Sequence, residues 1–241
     1  MKRMLKVELF QFAASRSLWI IVGVLFLASG ISVFTGVYES AEAALLSMSR
    51  DNMVPLLAAA IYGGLMLTEG FTNGTVRRCV ANGGRRAAVL LAKFLHYLLG
   101  CAILLLLNLA LPVGLAVIVR GAGISITALI QALLWEFLRS FPLYCALFGL
   151  FFLFAVLVQK SAAAIAVSVP ASILLVVLTN RIYSISPAAQ PLLQYSPIIQ
   201  LQSAAAGGAV TEEYLPTVFL SLLAMVCFLI LGIVKFDRDE L

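Results

Sequence analysis

Residues 69–94 read EGFTNGTVRRCVANGGRRAAVLLAKF, and this stretch decides what kind of molecule the chain is. It holds Arg77, Arg78, Arg85, Arg86 and Lys93, five of the sixteen Lys/Arg residues, between two long uncharged runs. The mean hydropathy of the whole chain is +1.08. A basic, glycine-punctuated segment in so apolar a chain reads as a cytoplasmic loop, because Lys and Arg are retained on the cytoplasmic side of membranes.

Hydrophobic residues make up 63% of the sequence and charged residues 11%, against about a quarter charged in soluble domains. A hydrocarbon core about 30 Å thick takes roughly 20 apolar residues of helix. Six runs meet that requirement, at about 17–38, 52–69, 93–119, 129–159, 161–180 and 214–235. They use most of the 241 residues and leave no room for a separate soluble domain. The expectation is an all-α integral membrane protein with six transmembrane helices, forming one transmembrane domain over 1–241. Its cytoplasmic loop is 70–92 and its extracellular segment 181–213. The first run is longer than the apolar core of a cleaved signal and lacks a small-x-small site, so it reads as an anchor.

The net charge of +5 does not call for a nucleic-acid partner, since its placement explains it. Lys2, Lys6, Arg16, the loop cations, Lys160, Lys235 and Arg238 fall on one side of the six spans. The other side keeps Arg50, Arg120 and Arg181 with Glu39, Glu42, Asp51, Glu212 and Glu213. This asymmetry puts both termini in the cytoplasm. At the N-terminus, Leu5, Leu9 and Phe12 recur at helical spacing beside Lys2, Arg3 and Lys6. That pattern fits either a short helix lying on the membrane surface or an ordinary juxtamembrane tail.

Within the spans, the Gly63-Gly64 pair predicts close helix approach or local backbone relaxation. Asn108 and Pro112 predict a kink in the third span, and Pro142 predicts a bend in the fourth. Residues 182–213 carry three prolines and many apolar side chains. A structureless loop of that length is uncommon, which predicts short helices re-entering the membrane and packed against protein.

Few residues offer chemistry. His96 is the sole histidine and has no partner at catalytic spacing, so it reads as a polar anchor at the membrane edge. No phosphate-binding loop, zinc-protease motif or nucleophile elbow occurs. Cys79, Cys101, Cys145 and Cys227 have no metal-ligand spacing, and no metal site is expected. The chain is therefore not expected to be an enzyme or to bind ATP. Asn73-Gly74-Thr75 matches a glycosylation sequon but lies in the inward loop. Glu136 and Arg139 share a helix face and can pair. They read either as a membrane-interface anchor beside Trp135 or as a buried functional pair. In the basic loop, Gly74, Gly83 and Gly84 bracket a short helix at 75–81 with Val76 and Val80 on one face. Its arginines either set topology by touching lipid phosphates or dock a cytosolic subunit, with the valines as apolar knobs.

Glu69, then Gly74-Thr75-Val76-Arg77, then Gly84-Arg85-Arg86, then Lys93-Phe94, resembles the loop between spans two and three of type-2 ABC exporter permeases. Arg85 stands where that family often has Ser. The ending Phe236-Asp237-Arg238-Asp239-Glu240-Leu241 is similar to the family's Phe-x-basic-Asp tail, and the six-span layout fits over the whole chain. The resemblance implies a dimeric permease in a bacterial plasma membrane, with a second copy or paralogue and cytosolic ABC ATPase subunits as partners. It implies that ATP is bound by those subunits alone. Their docking site would comprise Glu69, Gly74, Thr75, Val76, Arg77, Arg78, Val80, Gly84, Arg85 and Arg86. Bacteriocin-immunity and drug-efflux permeases look most similar, which implies an amphipathic or hydrophobic cargo. The rival expectation is a stand-alone membrane protein, either a secondary transporter or a scaffold. A secondary transporter is expected to carry intramembrane ionisable groups, for which Glu136 and Arg139 are the sole candidates.

Overall fold

The computed structural model describes residues 16–81, 85–205 and 212–238. Among these, ten helices follow one another: α1 (Arg16–Phe34), α2 (Ala41–Arg50), α3 (Met53–Thr72), α4 (Thr75–Ala81), α5 (Arg86–Arg120), α6 (Ile126–Val158), α7 (Ser161–Ile185), α8 (Gln190–Leu193), α9 (Pro197–Ala205) and α10 (Tyr214–Arg238). Six of them, α1, α3, α5, α6, α7 and α10, are long and apolar enough to cross a membrane. The chain is thus all-helical over its described residues and of multi-pass membrane type. The expected surface helix at the N-terminus lies in residues 1–15, outside the described residues.

Helix α3 is the hub. Two-thirds of its apolar window is buried, against 22% for α1 and α7 and 17% for α10. The outer helices turn rows of Leu, Ile, Val and Phe outward, as lipid-facing surfaces do. Small residues bring the neighbours of α3 close. Gly63 lies under the ring of Tyr97, and Tyr62 covers Gly100 on α5. A side chain on Gly64 would strike Ile165 of α7, including its backbone nitrogen at 3.2 Å. The expected close approach at Gly63-Gly64 is what the packing uses. Beside it, Tyr62 and Tyr97 stack at 6.0 Å, and Phe94 meets Phe152 of α6 edge-on at 4.9 Å. Tyr97 donates its hydroxyl proton to the Ala59 carbonyl at 3.2 Å, so this buried polar tip is satisfied.

Contacts along the helices fix their directions. Gly63 faces Tyr97 while Gly70 faces Lys93, so α3 and α5 are antiparallel. Tyr214 meets Arg139, Gly149 meets Met225 and Phe152 meets Gly232, so α6 and α10 run in the same direction. Pro112, Pro142 and Pro170 sit inside α5, α6 and α7, which continue past them. At 35 and 33 residues, α5 and α6 are longer than a bilayer requires, about 50 Å each at 1.5 Å per residue.

The end of the bundle away from α4 carries structure that the apolar runs do not announce. The first span stops at Phe34, where Gly36 turns the chain with φ +79°. The next ten-residue helix, α2, is capped by Ser40, whose hydroxyl accepts from the Ala43 amide at 3.2 Å. Its apolar face (Ala41, Ala44 and Leu45) closes over Val33, Leu109, Val113, Ala116 and Leu129 in a second core cluster. Helix α9 is enclosed in a different way. Ile198, Ile199, Gln200 and Leu201 are all buried, so this short helix is wedged among its neighbours instead of lying on them. Asn52 anchors it by donating to the Ile198 carbonyl at 3.3 Å and accepting from Tyr144 of α6 at 3.3 Å.

Candidate functional site

The site is built where α3 gives way to α4. The last turn of α3 carries an exposed Glu69, and the Asn73 amide returns to the Glu69 carbonyl at 3.0 Å. Gly74 follows at φ +66°, a left-handed conformation that glycine adopts without steric cost. Its amide bonds the Phe71 carbonyl at 3.3 Å, closing the helix end and turning the chain into α4. Thr75 opens α4 on the exposed side. Arg77, Arg78 and Val80 belong to α4, but their side chains lie outside the described residues, as does Gly84.

Val76 corrects one sequence expectation. It is 1% exposed and packs into the main core cluster, close over Gly70. It is therefore not an apolar knob offered to a partner. Its face of α4 is turned towards α3, because a helix this short is held by whatever apolar side chain it can bury against its neighbours. Among the described residues of the corner, Glu69, Thr72, Asn73, Thr75, Ala81 and Arg85 are exposed.

Arg85 stands in extended conformation before α5, and its carbonyl receives the Ala88 and Val89 amides. Arg86 reaches sideways and donates from Nη1 to the Asp237 carbonyl at 3.0 Å, bonding α10 across 151 residues of sequence. Phe236, fully buried, meets Phe71 edge-on at 5.8 Å. The loop and the start of the Phe-x-basic-Asp ending, read separately in the sequence, therefore meet in the structure. Residues 239–241 of that ending lie outside the described residues. Of the arginines here, Arg86 is the one bonded to α10, and guanidinium groups are suited to bonding carboxylate or carbonyl oxygens.

Behind this surface sit two buried polar residues of α5, Lys93 and His96, at 5% and 7% exposure. Below α4, the Thr68 hydroxyl donates to the Gly64 carbonyl. That uses its one proton, so the 2.6 Å contact with Ser161 has the Ser161 hydroxyl as donor. The bond ties α3 to the start of α7.

The second charged feature lies towards the other end. Arg139 donates from Nη2 to Glu136 at 2.6 Å, with side-chain exposures of 10% and 12%. The Tyr214 hydroxyl, on the first residue of α10, donates to the Arg139 carbonyl at 2.9 Å. The pair is thus sheltered by protein while Trp135 and Leu138 on the same helix face outward. Sequence reasoning singled out both residues but missed Tyr214, and it missed the Asn52–Tyr144–Ile198 link altogether. Each of these partners comes from a distant helix, and a pairing of that kind leaves no local pattern.

Set against protein-family models the chain matches none, and no curated protein sequence matches it.

Proposed function

We propose that the protein is the transmembrane permease subunit of an ATP-driven exporter. In this reading it docks cytosolic ATPase subunits at the α3–α4–α5 corner and moves an amphipathic or hydrophobic substrate out of a bacterial cell. The α4 end, with its surplus of Lys and Arg, is cytoplasmic, and both termini lie there. The α9 segment then belongs to the outer side, where a buried irregular stretch can enter the membrane against protein. Two copies, or the chain and a paralogue, surround the transport path. ATP-driven movement of the docked subunits biases the pair between two arrangements.

One observation carries this reading: a short basic helix follows the left-handed turn at Gly74 between the second and third spans, and the span ends on either side of it are joined to the end of the last span through Phe71 and Arg86. A loop that only set topology would need the cations and not this fixed corner. The resemblance of the same residues to type-2 ABC exporter permeases supports the same conclusion.

The test is charge reversal on α4. The permease is purified from its source cells in mild detergent, and ATP turnover of the preparation is compared with that of the Arg77→Glu/Arg78→Glu variant. The parent is expected to carry a bound ATPase and hydrolyse ATP. The variant is expected to insert normally and lose both properties. A parent free of ATPase, or a variant that retains it in full, overturns the reading in favour of a stand-alone membrane protein.

A further inference from the structure

Lys93 lies about two turns into α5 and is 5% exposed, beside the main cluster. Its Nζ and Cε occupy the space in front of Gly70, where a Cβ would fall 2.6 and 2.7 Å from them. Val76 of α4 closes the same space from the other side, with Cγ2 at 3.4 Å from that point. Gly70 belongs to the last turn of α3, where the helix dipole presents its negative end. A cation is stabilised there and an apolar residue is not. The absence of a side chain at position 70 is what lets the charge reach that end.

We propose that Lys93 is the positioning residue of the docking corner. Its ammonium, seated against Gly70 and beneath Val76, holds the end of α3, the short helix α4 and the start of α5 in one arrangement. A displacement of α4 by a docked subunit is thereby passed to both spans. The proposal rests on the docking reading above and assigns it a transmission element. A cation is suited to this role because it stays attached as the two helices shift by small amounts. The attraction to a helix end falls off gradually, whereas a packed methyl group loses contact within a fraction of an ångström.

Two variants probe it from opposite sides. Lys93→Met removes the charge and keeps the stem, while Gly70→Ala keeps the charge and displaces the ammonium. Lysine acylation of the purified permease, read by mass spectrometry, tests the seat without any ATPase. Lys93 is expected to react at least tenfold faster in Gly70→Ala than in the parent, and equal rates overturn the seat. In lipid nanodiscs with the co-purified ATPase, both variants are expected to keep the subunit bound and its KM for ATP. Permease-dependent kcat should fall at least tenfold, and the double variant should fall no further than either single one.

Parental kcat in either variant overturns the proposal. A loss that tracks a lowered melting temperature or a lost subunit also overturns it, since Lys93 would then only hold the fold. If the parent binds no ATPase while Lys93 shows the expected protection, the seat stands, but the docking reading fails and the transmission role fails with it.

Discussion

The close contact between α3 and α7 offers a quantitative test. Gly64→Ala adds one methyl group where α3 and α7 touch, against the Ile165 side chain and its backbone nitrogen at 3.2 Å. Three effects compete. Helix propensity favours alanine by roughly 1 kcal/mol. Overpacking a filled interface costs about 1–3 kcal/mol. If the helices separate to make room, the Ser161–Thr68 bond at 2.6 Å is lost as well, which in membrane proteins costs about 0.6 and up to about 1.7 kcal/mol. The net expectation is a destabilisation of about 1–4 kcal/mol, measured by reversible unfolding in mixed detergent micelles. Ser161→Ala alone isolates the hydrogen-bond part. Adding Ile165→Ala to Gly64→Ala should restore only a fraction of the loss, because the backbone nitrogen remains in the way. A Gly64→Ala protein as stable as the parent would mean that α3 and α7 do not touch here, and the reasoning about the hub would be wrong.

Three other outcomes follow from features of the two ends. Arg139→Gln alone should cost about 3–5 kcal/mol by stranding the sheltered Glu136, whereas the double Glu136→Gln/Arg139→Gln variant should unfold close to the parent, both read in the same micelle assay. Asn52→Ala should destabilise by about 1–3 kcal/mol by leaving the buried Tyr144 hydroxyl without its acceptor and removing the bond to Ile198, and should speed amide exchange across 198–201, which hydrogen-exchange mass spectrometry resolves; unchanged exchange there would show that the Asn52 link does not hold α9. In a background without native cysteines, a cysteine replacing Glu39 should react with an impermeant thiol reagent on intact cells and one replacing Asn82 should not; the opposite pattern reverses the orientation.

The spans were legible because twenty apolar residues in a row have few other uses, and the charge gaps between them were equally plain. Helix α2 was not. Its Ala41, Ala44 and Leu45 face is short and lies among Glu39, Glu42, Arg50 and Asp51, so the charges read as a loop although Ser40 supplied a cap. At the candidate site, spacing correctly predicted a short helix at 75–81. It held nothing about which neighbour Val76 meets, since the answer depends on the bare backbone of Gly70 six residues earlier. The enclosure of Glu136 and Arg139 likewise depends on Tyr214, 75 residues beyond Arg139. Patterns within one helix are written locally. Partners from another helix are not, and the site is made mostly of partners.

The parallel course of α6 and α10 has a consequence for how the protein is made. Adjacent spans can pair as a hairpin while still in the insertion machinery, but two spans running the same way cannot be consecutive. The side of α6 that receives Met225 at Gly149 must wait until the chain has crossed back through α7 and laid down α8 and α9. From Val158 to Arg238 is eighty residues, or about 4–16 s of synthesis at typical rates. During that interval a newly inserted α6 presents an unfilled groove to lipid and to the cell's membrane proteases. Nascent chains stalled before position 214 should therefore be short-lived, and the last span acts as the release from surveillance.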